Sequence, residues 1–128
     1  MSANAQSVIN IISGGGLMEI VSMKQGNATL VRLKGRMDVA TAGDVERACE
    51  RVIQGGEKFV VLDLGGLDYI SSAGLRGILG VDKKIKAQGG KLALCNLKGM
   101  VKEVFQISGF AVMFSIFDTA EAALDQTC

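Results

Sequence analysis

Residues 58–64 read KFVVLDL, a run that is apolar on both faces of an extended strand through Phe59, Val60, Val61, Leu62 and Leu64. A strand with no wet side must be covered on both faces or flanked by parallel neighbours. Segments of helical spacing stand before and after it. From Val39 to Gln54, the residues Ala42, Val45, Cys49, Val52 and Ile53 fall on one stripe, and Asp44, Glu46, Arg47, Glu50 and Arg51 on the other. This spacing predicts an amphipathic helix, ended at Gly55-Gly56. From Ala73 to Gln88, Leu75, Ile78, Leu79 and Ile85 define a second helix that stops at Gly89-Gly90. Asp82 falls inside its apolar arc, either at an exposed end of the stripe or paired with Lys86.

Upstream, the runs Leu17–Met23 and Ala28–Lys34 flank KQGN, whose Gly26-Asn27 pair suits a tight hairpin turn. Downstream, KLALCNL reads as a strand, GMVKEVFQISG as a helix with Val101, Val104 and Phe105 inward, and AVMFSIF as the last strand. DTAEAALDQ places Asp118 three residues before Glu121, the capping-box spacing of a terminal helix. The expected order is β-β-α-β-α-β-α-β-α: an α/β sandwich with a mixed sheet and helices packed mainly on one face. With 128 residues the chain has the length of one domain. Residues 1–16 are expected to be a flexible extension outside that domain, with one apolar run at Val8–Ile12 and a joint at Gly14–Gly16; residues 17–128 form the fold.

Several function classes drop out on composition. The chain has no histidine, which removes the usual general base, zinc ligand and centre of a Ser-His-Asp triad. A nucleophile elbow needs glycine two residues before its serine, where Ser72 has Ile70. The triple glycine lacks the Lys-Ser/Thr pair of a phosphate loop. Cys49, Cys95 and Cys128 are too far apart for a metal clip, and their odd number fits a reducing, cytoplasmic compartment. A net charge of +1 suggests no nucleic-acid surface. No window holds the roughly 18 apolar residues of a membrane span, and the N-terminus lacks the pattern of a secretion signal. No enzyme, metal or cofactor is expected.

The segment LDYISSAGLRGILG then stands out. It sets Ser71 and Ser72 at the carboxyl side of a central strand and at the start of a helix. Such a start leaves backbone N–H groups unpaired and carries partial positive charge, so it suits a hydroxyl cap and a phosphate alike. Both readings stay open from location alone. Asp38, before Val39, likewise reads as a helix cap or a partner contact.

Taken together, LKGRMDVATA, LDLGGLDYISSAGLRGILG and GGKLALCNLKGMVKEVFQISGF resemble the STAS domain of bacterial anti-sigma factor antagonists, from about Leu17 to the C-terminus. The resemblance implies a switch protein: the unmodified form captures a serine-kinase anti-sigma factor, phosphorylation by that kinase releases it, and a PP2C-type phosphatase restores it. It places the phosphorylated serine at Ser72, with Ser71 a competing acceptor where many relatives have aspartate. It also implies a partner surface of Asp38, Thr41, Ser71, Ser72, Ala73, Gly74 and Arg76, on a monomer or weak dimer. Two alternatives stand beside it, a partner switch with a non-sigma output and a constitutive scaffold or small-ligand module that is never phosphorylated.

Overall fold

The structure, a computed structural model, describes residues 6–13 and 16–126. Its elements are β1 (Gln6–Ser13), β2 (Gly16–Gln25), β3 (Ala28–Met37), α1 (Ala42–Gln54), β4 (Phe59–Ile70), α2 (Ser72–Ala87), β5 (Lys91–Cys95), α3 (Gly99–Ser108), a short 3₁₀ turn (Phe110–Met113), β6 (Ser115–Phe117) and α4 (Ala120–Asp125). The six strands lie side by side in chain order. β1, β2 and β3 are antiparallel neighbours, and β3 to β6 run parallel. The β2–β3 turn is the two-residue Gly26-Asn27, with Gly26 at φ 60°, a value that glycine adopts without steric penalty.

Each parallel step needs a crossover, and the three steps advance in one direction, so right-handed connections deliver their helices to one face. The packing shows it. Val60, Leu62 and Leu64 of β4 and Leu92 and Leu94 of β5 join Val45, Cys49, Ile78, Ile85, Val101 and Phe105 of α1, α2 and α3 in one core. The alternate residues, Val61, Ala93 and Cys95 with Leu30 of β3, pack on Ala120 and Ala123 of α4 across the sheet. This is the two-sided burial that KFVVLDL demanded, in an α/β sandwich with three helices on one face and one on the other.

Four local expectations change. The segment expected to lie outside the fold contributes β1, paired to β2 from Gln6↔Met23 to Ser13↔Gly16; its apolar run completes a hairpin instead of trailing. The rest of that extension, residues 1–5 and 14–15, lies outside the described residues. α1 begins at Ala42, three residues after Val39, because Asp38–Thr41 closes a separate turn. AVMFSIF is mostly not strand: Gly109 at φ 81° turns the chain into the 3₁₀ turn, and only Ser115–Phe117 pairs with β5. The cap of α4 is Thr119, whose Oγ1 accepts from the Ala122 N–H at 3.1 Å, and not Asp118. Asp82 is buried, 5% exposed, and its Oδ2 lies 2.9 Å from Lys86 Nζ, so of the two readings the pair is the one found.

Cys49 and Cys95 are buried free thiols. Burial, reinforced by Glu46 and Glu50 at Cys49 and by Asp63 and Glu121 at Cys95, pushes both up to about 12. A thiol held above its unfolded value of about 8.5 stabilises the fold fully below that pH and progressively less as pH rises towards 12. The urea midpoint should therefore fall between pH 9 and 11, with about 1 kcal/mol per pH unit for each thiol as the order of magnitude. Cys49→Ala should show a shallower fall. Identical pH slopes in the two proteins would remove Cys49 as a contributor.

Candidate functional site

Because β3 and β4 are parallel, with Met37 opposite Ile70, their carboxyl ends reach the same end of the sheet. The segments that follow, Asp38–Thr41 and Ser71–Arg76, are therefore neighbours. Two contacts hold them together. The Ser71 N–H donates to the Met37 carbonyl at 2.9 Å. Gly74 sits so close that a Cβ there would lie 2.7 Å from the Met37 carbonyl oxygen and 2.7 Å from Ile70 Cγ1.

The two serines divide the roles that location alone left open. Ser71 is the N-cap of α2: its backbone is extended, and its Oγ accepts from the Gly74 N–H at 3.2 Å. Ser72 is the first helical residue and is exposed. The cap is thus supplied by the neighbour, and the Ser72 hydroxyl faces solvent at the positive end of a helix of 16 residues. Arg76, also exposed, lies one turn further along, at the spacing that puts two side chains on one face.

On the other segment, Asp38 Oδ1 accepts from the Ala40 N–H at 3.0 Å, and the Asp38 carbonyl accepts from the Ala42 N–H at 2.8 Å. The helix-cap reading of Asp38 does not hold, since Thr41 is the N-cap residue of α1 and no side chain caps that end. Asp38 instead shapes the turn before the helix, half-buried, with its carboxylate at the rim. Thr41 is 1% exposed. Its Oγ1 donates to the Arg36 carbonyl at 2.7 Å and accepts from the Asp38 N–H at 3.0 Å. With its one proton engaged there, the 3.4 Å approach to Asp38 Oδ1 is a contact and not a second donated bond. Thr41 and the buried Gly74 therefore build the surface from below and cannot touch a partner. The exposed members of the set are Ser72 and Arg76, with Asp38, Ser71 and Ala73 half-buried.

Two features at this end escape a reading of the sequence. Val39 is 85% exposed, an apolar side chain at the tip of the Asp38 turn. Arg36 lays its guanidinium over the Tyr69 ring, 4.2 Å from the centroid, across the β3–β4 pair. Such stacking is worth about 0.5–1 kcal/mol at an exposed site and holds the cation over the Tyr69 ring. A valine placed ahead of the helical stripe was the available signal for the first; the second depends on strand register.

A cavity of about 610 Å³ lies elsewhere, on the α4 face. Its lining includes Arg32, Lys98 and Asp118, and the buried Asp63 carboxylate at its wall accepts from the Gly65 N–H at 2.9 Å and Asn96 Nδ2 at 3.1 Å. Those bonds brace Asn96, which holds φ 60° without being glycine. Among the described residues no cluster of three or more His, Cys, Asp or Glu side chains is placed to hold a metal, and no helix is long and apolar enough to cross a membrane.

The sequence profile of the STAS domain matches residues 19–123. The chain belongs to the STAS domain family. BtrV of Bordetella bronchiseptica, which carries the name of an anti-sigma factor antagonist, is 43% identical over 106 residues, covering 83% of this chain and 91% of its own length. The anti-sigma F factor antagonist of Paenibacillus polymyxa is 33% identical over 98 residues, covering 76% and 84%. Among solved structures, the Bacillus cell fate determinant SpoIIAA in its phosphorylated form superposes with a TM-score of 0.64 at 20% identity, covering 95% of this chain and 100% of that one. That STAS fold is the α/β sandwich described above, and the matched residues span both segments of the site.

Proposed function

We propose that this STAS domain is an anti-sigma factor antagonist switched by phosphorylation of Ser72. Unmodified, it docks a serine-kinase anti-sigma factor on the surface formed by Asp38, Val39, Ser71, Ser72, Ala73 and Arg76, and so frees a sigma factor. Phosphorylated by that kinase, it lets go, and a PP2C-type phosphatase resets it. The observation that carries this reading is the division of labour between the serines: Ser71 caps α2, and Ser72 stands exposed on the first turn. Two relatives bear the antagonist name, and a protein of the same fold has been solved phosphorylated.

The physics of the switch follows from position. A phosphate adds about −1.5 to −2 charges and three acceptor oxygens. At the start of α2 it meets unpaired N–H groups and the helix dipole, and Arg76 stands one turn away, so the fold tolerates it. The docking surface, however, changes sign at its centre. A partner fitted to the neutral hydroxyl then faces repulsion and an uncompensated desolvation cost.

Phosphopeptide mapping tests the site. Trypsin releases Phe59–Arg76 with both serines in one peptide, so fragment ions must separate them. After incubation with a partner kinase and ATP, phosphate is expected on Ser72. Phosphate on Ser71 alone would move the switch by one residue and break the cap of α2. Phosphate on neither would favour a constitutive module.

A further inference from the structure

Among the described residues, β1 (Gln6–Ser13) is the outermost strand of the sheet, paired on one side with β2 along its whole length and next to no strand on the other. An edge strand offers a row of backbone N–H and C=O groups to any strand that approaches. Proteins ordinarily guard such edges with charges, proline, bulges or short length. The opposite edge follows that rule, since β6 is only three residues long and Asp118 follows it. β1 does not. It runs eight residues in unbroken register, the chain contains no proline, and the first charged residue is Glu19.

The sequence of the strand indicates its occupant. Ser7-Val8-Ile9-Asn10-Ile11-Ile12-Ser13 reads almost the same in both directions, differing only by valine for isoleucine. A two-fold axis relating two antiparallel strands matches each one against its own reverse, so only a near-palindrome meets like with like. We propose that β1 pairs antiparallel with β1 of a second copy of this chain, centred on Asn10, joining the two sheets into one. In that register Ser7 lies opposite the partner's Ser13, Val8 opposite the partner's Ile12, Ile9 opposite the partner's Ile11, and Asn10 opposite the partner's Asn10. The absence of charge matters here too, because a charge on the axis would meet itself. A slip of one residue would set Asn10 against the partner's Ile9 and reverse the faces of the whole strand, and a slip of two would set it against the partner's Val8 or the partner's Ile12, so the Asn10-centred register is the one that matches like with like. β2 separates β1 from β3, so Asp38, Ser71 and Ser72 lie on other elements, and the proposal stands apart from the switch.

Sedimentation velocity on the full chain, from micromolar to near-millimolar concentration, combined with disulfide trapping, tests it. In a Cys128→Ser background, Asn10→Cys should cross-link to a covalent dimer under mild oxidation. Ser7→Cys or Ser13→Cys alone should not, whereas an equal mixture of those two should. Asn10→Lys, which sets like charges opposite each other, should weaken self-association about fivefold or more, with the circular dichroism spectrum unchanged. A monomer across the whole concentration range would overturn the proposal. So would a dimer that Asn10→Lys leaves intact, or cross-linking that is equal at all three positions.

Discussion

Replacing Ser72 by aspartate is expected to weaken capture of the kinase partner by about 30-fold, close to 2 kcal/mol, while leaving the fold at least as stable as before. The two halves of that expectation have different origins. Stability is preserved because Ser72 is exposed on the first turn of α2, where a carboxylate favours the helix dipole by about 0.3–1 kcal/mol. Binding should be lost because, on the proposed function, the same carboxylate would stand at the centre of a docking surface shaped around a hydroxyl. Ser72→Ala should bind like the wild type and accept no phosphate. Ser71→Ala gives the opposite pattern: it removes the acceptor of the Gly74 N–H, should cost about 1 kcal/mol of stability, and should leave affinity within a few-fold. Calorimetric titration and thermal melts of the three variants separate these outcomes. Wild-type affinity in Ser72→Asp would end the electrostatic account of the switch.

Gly74→Ala should lower the melting temperature by roughly 5–10 °C, an estimate of about 2 kcal/mol of overpacking. In most helices the change would help, because alanine is the better helix former by about 1 kcal/mol. Here the new Cβ would lie 2.7 Å from a backbone carbonyl, that of Met37, and from Ile70 Cγ1, neither of which is the free end of a flexible side chain. Relief requires the start of α2 to move away from the end of β3, which also disturbs the Ser71 N–H bond to Met37 and the placement of Asp38. Kinase affinity should fall together with stability. Gly80→Ala is the control. Its Cβ would meet only the Glu46 carboxylate, 3.2 Å away and able to swing aside, so that variant should be neutral or more stable. A Gly74→Ala protein as stable as the wild type would show that the two segments are not pressed together as described.

The features legible in the sequence were those set by local period. The stripe of α1 was readable because Ala42, Val45, Cys49 and Ile53 recur at helical spacing, and all four are buried. β4 was readable because nothing polar interrupts either face of KFVVLDL until Asp63. What escaped depends on partners distant in the chain or on backbone geometry that composition does not reveal. The apolar residues of AVMFSIF suit a strand, a helix or a turn equally; Gly109 at positive φ decides for the turn and leaves Val112 exposed. β1 looked like a tail because an isolated charge-free strand shows no period of its own until β2 is beside it. Thr41 looked like surface because threonine is polar, yet the Arg36 carbonyl gives its hydroxyl a buried partner. At the site, the positions of Ser71 and Ser72 were readable, but which of them caps the helix is a matter of backbone angles.

The order of strands in the sheet, identical to their order along the chain, bears on how the protein is made. Of these strands the ribosome releases the β1–β2 hairpin first, and every later strand, beginning with β3, then adds to an edge that already exists. No earlier pair has to part to admit a latecomer, as it must in sheets whose middle strand is synthesised last. Vectorial synthesis and sheet growth therefore proceed in the same direction. The crossover helix that accompanies each new strand arrives in time to cover the apolar face just formed, which shortens the interval in which that face could find another chain.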